Sequence, residues 1–111
     1  MNVFAKTFVA LTAAISWTSS FGGTASGRVS APNFMPNGAV IFYVEGSRNS
    51  PPACATESRR FALNGATPQG KTQLSGLLLA YSQGKTVNVY GTNSCSVWGD
   101  TETLDFFAIV D

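Results

Sequence analysis

The sequence predicts a small, mainly β domain with one helix, and three observations carry that reading. Short runs of alternating apolar and polar residues recur between turn signals, the pattern of half-buried strands. One stretch alone, from Thr67 to Gly84, changes to a helical period, with Leu74, Leu77, Leu78 and Tyr81 at i, i+3, i+4 and i+7. The third observation is size: the chain supports one domain with a small core that would benefit from a covalent staple.

Met1 to Lys6 carries one lysine, and Thr7 to Trp17 (TFVALTAAISW) is uncharged, apolar and 11 residues long. That is too short to span a bilayer but fits the core of an export signal, with a buried N-terminal helix as the alternative. The small-residue run TSSFGGTAS that follows reads as a processed region. Cleavage is expected after Ser16, with Ala14 and Ser16 at the small-residue positions, or later, near Ala25 or Ser26. Residues 1–26 are read as the signal and 27–111 as a single exported domain, periplasmic or secreted, with no membrane span after processing.

Gly27 to Phe34 is a weak strand with Val29 and Ala31 on one face, and Pro32 confines it to an edge or a bulge. Pro36-Asn37-Gly38 is a turn signal, because Asn-Gly accepts positive φ. Ala39 to Glu45 is the clearest strand, with Val40, Phe42 and Val44 on one face and Ile41 and Tyr43 on the other. Gly46 to Pro52 reads as a loop ended by Pro-Pro. Arg59 to Leu63 is a third strand, with Phe61 and Leu63 on one face and the two arginines as solvent-facing charges. The helix follows: Thr67 caps it, Pro68 suits its first position and Gly84 ends it, so its face of Leu74, Leu77, Leu78 and Tyr81 is expected in the core. Val87 and Val89 then mark a fourth strand. Thr92 to Thr103 is polar apart from Val97 and Trp98. Thr103 to Val110 is a fifth strand, with Leu104, Phe106, Ala108 and Val110 facing one way and Phe107 and Ile109 the other.

Strand, strand, strand, helix, strand, strand is the order of the OB-fold, a five-stranded Greek-key barrel; a half-open antiparallel sheet under the helix is the alternative. Without Lys6, six basic residues face six acidic ones, so no field exists to attract nucleic acid or anionic lipid. Cys54 and Cys95 are the only cysteines. An exported compartment permits a bridge between them. A metal pair or two free thiols are the alternatives, although a zinc site would lack ligands in a chain without histidine.

Ala53-Cys54-Ala55, the Leu-Leu helix ending Ala80-Tyr81-Ser82-Gln83-Gly84-Lys85-Thr86-Val87-Asn88-Val89, and Ser94-Cys95-Ser96 resemble the binding subunits of the subtilase cytotoxin type. Those are OB-fold B subunits of the AB5 toxin class. The chain is also similar to small exported proteins of Gram-negative bacteria that end in Cys-x-x-Trp and a last strand. The resemblance spans Ala53 to Ser96 and implies an OB-fold, a Cys54–Cys95 bridge, a ring of five and binding of cell-surface glycans. No glycan-contacting residue carries over, because the part before Cys54 shows no match to them.

Without histidine, Ser-His-Asp and Cys-His catalysis are absent, which leaves carboxylates. Asp100 and Glu102 would point to one side of an extended segment, and a glycosidase needs two carboxyls, but acids in a polar loop are more simply solvated. No catalytic role, metal or cofactor is therefore expected. Trp98 can stack on a sugar while Asp100, Glu102 or Asn93 bonds its hydroxyls; the simpler reading folds Trp98 back over the bridge or the barrel mouth. Tyr90 could extend such a surface along the wall. The function expected is an exported, non-catalytic binding module with a glycan or protein ligand, the glycan reading and a ring of copies being what the resemblance implies. The alternative is a monomeric structural or accessory envelope protein without a small-molecule ligand.

Overall fold

Pairing capacity decides this fold, because each strand finds two neighbours. The computed structural model describes residues 22–110, so residues 1–21 of the 1–26 read as an export signal lie outside the described residues. Its elements are β1 (Thr24–Phe34), β2 (Ala39–Asn49), β3 (Arg60–Asn64), α1 (Pro68–Gln83), β4 (Thr86–Gly91) and β5 (Glu102–Ile109), in the order the sequence predicts. The single sheet runs β1-β2-β3-β5-β4 and closes where β4 pairs with β1. Every pairing is antiparallel except that of β3 with β5. This parallel seam is short: Phe61 lies opposite Glu102 and Ala62 opposite Thr103.

The core forms inside the sheet from Ala25, Val29, Val40, Phe42, Val44, Phe61, Leu63, Val87, Val89 and Leu104, with Leu77 and Ala80 entering from the helix. Phe42 and Phe61 face each other across β2 and β3 with ring centroids 6.2 Å apart. Cys54 and Cys95 form a disulfide across 41 residues. In the chain-entropy model a loop of that length contributes about 4 kcal/mol.

Local signals place the helix ends well. The Thr67 hydroxyl accepts the Gly70 N–H at 2.9 Å, and Gly84 takes the left-handed conformation, φ 63°, while its N–H and that of Lys85 close on the last carbonyls. The buried face differs from the expected one. Gly70, Leu77 and Ala80 are buried and Leu74 is partly buried, whereas Leu78 and Tyr81 are 37% and 46% exposed. Small residues decide this. A Cβ at Gly70 would overlap the Asn64 carbonyl, so the start of the helix sits tight against the end of β3, and Gly70, Leu77 and Ala80 are buried while Leu78 and Tyr81 lie at the rim.

Three strands also depart from the simple alternation. β1 begins at Thr24 rather than Gly27, and its register shifts between Ser30 and Asn33, where Ala31 takes φ 46° and lies exposed instead of sharing the face of Val29. Pro32 lacks the N–H a regular ladder would use there, so a bulge results. β2 runs on through Gly46 to Asn49, where a loop is expected, because Thr24 to Gly27 supply a partner strand. Gly27 and Gly46 lie opposite each other so closely that a Cβ on either would overlap the other strand's backbone. In β5 the register slips between Tyr90 and Gly91, making Asp105 an extra residue. As a result Phe107 packs on the core and Phe106, expected on the same face as Leu104, is 52% exposed while Leu104 is buried. The Asp105 carbonyl, freed from the ladder, accepts the Gln73 side-chain amide of α1 at 2.8 Å.

Truncating Leu77 to alanine is expected to lower unfolding free energy by about 2–5 kcal/mol, and truncating Leu78 by only a small fraction of that. Urea denaturation of the two variants checks it; equal losses would mean that the helix presents the other face.

Candidate functional site

The polar segment after β4 is held by the fold itself. Thr103 accepts the N–H groups of Ser96 and Val97 on its hydroxyl at 3.0 and 3.2 Å, and its own N–H donates to Ser94 at 2.8 Å. The disulfide ties Cys95 to the β2–β3 loop, and the Glu57 N–H donates to the Asp100 carbonyl at 3.0 Å. Trp98 is partly buried in a turn closed by the Thr101 N–H on the Trp98 carbonyl at 3.0 Å.

The acids of this segment separate rather than face one ligand. The Asp100 carboxylate pairs with Arg60 at 2.7 Å and accepts the Thr101 hydroxyl at 2.9 Å. Arg60 also donates to the Thr101 oxygen at 2.9 and 3.2 Å, so it packs under the turn instead of standing free in solvent. Arg59 is exposed as expected, paired with Glu45. Glu102 is wholly buried. One carboxylate oxygen accepts Arg48 at 2.7 Å; the other accepts the N–H of Gly23 at 2.9 Å and of Asn93 at 2.8 Å. Arg48 stacks over the Phe61 ring at 4.3 Å and donates to the Ser58 carbonyl.

This carboxylate needs room as well as partners. A Cβ at Gly91 or Gly22 would overlap it. Asn93 adopts φ 66°, a conformation asparagine tolerates, and from there aims its N–H inward while its side chain stays exposed. The expectation that Glu102 reaches a ligand beside Asp100 is therefore corrected. Its charge is consumed inside the sheet, because a buried carboxylate must be paired.

Tyr90 stands apart from that cluster, on the outer wall. The Phe106 ring stacks on it at 4.5 Å with an interplanar angle of 12°. Tyr90, Phe106, Gly22, Thr24, Gly91, Thr92 and Asp105 line a groove of about 630 Å³. An exposed aromatic pair bordered by hydroxyls and one carboxylate offers stacking and hydrogen bonding side by side. Tyr90 was legible as a wall residue, whereas Phe106 and Asp105 were not. The visible signal is the Phe106-Phe107 doublet, since successive side chains of a strand point to opposite faces of the sheet.

No protein-family model, curated protein or solved structure matches the chain. Among the described residues no helix is long and apolar enough to cross a membrane, and no group of three or more acidic or cysteine side chains could hold a metal ion.

Removing the buried acid leaves Arg48 unpaired inside the sheet, so Glu102→Ala is expected to cost about 3–5 kcal/mol. The exposed pair supplies the control: Glu45→Ala should cost less than about 1 kcal/mol. Chemical denaturation of both variants measures the contrast, and a Glu102 variant as stable as the Glu45 variant would refute the buried pair.

Proposed function

We propose that this chain is an exported, non-catalytic binding module of the OB-fold barrel type that takes a glycan on its outer wall. The observation that carries it is the Tyr90–Phe106 stack, two partly exposed rings in contact on the outer wall of the sheet, whereas Phe42 and Phe61 stack inside the core. Such a pair contributes apolar area to the CH face of a sugar, and Asp105, Thr24 and Thr92 supply acceptors and hydroxyls for its polar rim. The sheet order β1-β2-β3-β5-β4, with the helix between β3 and β4, supports the OB-type barrel. The resemblance of Ala53 to Ser96 to B subunits of the AB5 class supports the same reading; the ring assembly it implies is not required for it.

The placement of the acids favours a binding over a hydrolytic role. Glu102 is enclosed and Asp100 is tied to Arg60, so Asp105 is the one carboxylate lining the groove among the described residues. Hydrolysis of a glycoside would ask for two. Export fits removal of the leader after Ser16, because a cut after Ala25 or Ser26 would delete the Gly23 N–H from Glu102 and the first paired residues of β1.

Tyr90→Ala and Phe106→Ala are each expected to weaken glycan binding about tenfold or more while leaving the thermal midpoint near that of the wild type. A glycan array followed by calorimetry reads this. Wild-type protein that binds no glycan, or variants that bind as well as it does, would overturn the proposal in favour of a structural envelope role.

A further inference from the structure

The strand register lays the outer wall out in rows. Asn49 on β2, Thr24 on β1, Tyr90 on β4 and Phe106 on β5 form one row; Ser47, Ser26, Asn88 and Ala108 form the next. A second, shallower groove of about 170 Å³ is lined by Ser26, Ser47, Asn49 and Asn88, and it shares Thr24 and Tyr90 with the aromatic groove. The two are therefore one surface. It crosses four strands, about 14 Å at the usual strand spacing.

Its chemistry grades along that length. The β5 end is aromatic, with Asp105 beside it; the β2 end carries hydroxyls and carboxamides. Asn88 accepts the Ser26 hydroxyl on its carbonyl oxygen at 2.8 Å, and its NH2 has no internal partner among the described residues. No lysine or arginine lines either groove. Arg48, between Ser47 and Asn49, turns inward to Glu102, and Arg28 stands one row further on, opposite Glu45. A sialylated or sulfated ligand would meet no cation here and one carboxylate.

We infer that the ligand is an uncharged oligosaccharide lying across β5, β4, β1 and β2, with one sugar on the Tyr90–Phe106 stack and the following sugars hydrogen-bonded by Asn88, Ser47 and Asn49. This rests on the glycan-binding reading and adds to it a direction, a length and a charge class. Amide and hydroxyl side chains suit such a ligand because each sugar hydroxyl both donates and accepts.

Calorimetric titration with unsubstituted gluco-, galacto- and manno-oligosaccharides of one to four residues, beside their sialylated and sulfated counterparts, tests it. Affinity should rise from the monosaccharide to the trisaccharide. Asn88→Ala and Ser47→Ala should each weaken the trisaccharide about threefold to tenfold and leave the monosaccharide unchanged, at unaltered thermal midpoints. Affinity independent of length, with both variants inert while Tyr90→Ala still abolishes binding, would overturn the extended site and leave the binding module standing. Tighter binding of the anionic counterparts would overturn the charge class. Binding of no member of the series would overturn the extended site and the binding module together.

Discussion

Glu102 lies wholly inside the protein, and a carboxylate there is tolerable only while it is paired and hydrogen-bonded. Its partners come from three directions: Arg48 from the far end of β2, the Gly23 N–H from the approach to β1, and the Asn93 N–H from the β4–β5 loop. It also stands at the start of β5, opposite Phe61, on the short parallel seam between β3 and β5. One buried acid thus gathers the elements that meet where strand pairing is sparsest. Several local features follow from it. Gly22 and Gly91 leave space for the carboxylate, Asn93 adopts a left-handed conformation, and Arg48 is drawn inward across Phe61.

Fixing that seam has a consequence on the opposite side of the sheet wall. With Glu102 and Leu104 turned inward, continued alternation would bury Phe106, yet the extra residue at Asp105 reverses the remainder of β5. Phe107 then covers the core beside α1, where it lies 3.3 Å from the position a Cβ would take on Gly76. Phe106 is left outside to stack on Tyr90. The solvent-facing aromatic pair and the core contact of Phe107 are two results of one bulge, so the proposed binding wall is built into the closure of the fold.

How much of this was legible depends on the range of the interaction responsible. The helix ends were readable because Thr67 and Gly84 act on backbone groups within a turn of themselves. The inward faces of β2, β3 and β4 were readable because period 2 is strict over short strands without bulges. The helix's buried face lies about one position from the one its large apolar residues predict, because Gly70, which lets the helix approach Asn64 closely, and the small Ala80 are on the buried side. The far end of β2 looked like a loop because its pairing depends on Thr24 to Gly27, some twenty residues away in sequence. Asp100 and Glu102 looked equivalent. Their partners, Arg60 and Arg48, are 40 and 54 residues distant and send one to the surface and the other to the interior.

Amide hydrogen exchange at Asn93 reports on the buried acid most directly. The residue is exposed and lies in a loop, so in the absence of Glu102 nothing among the described residues would protect its N–H. Exchange at Asn93 as slow as at Gly23 and at the strand amides of β4 is the predicted result. Exchange at the rate of an open loop amide would contradict it, and with it the claim that Glu102 gathers the seam.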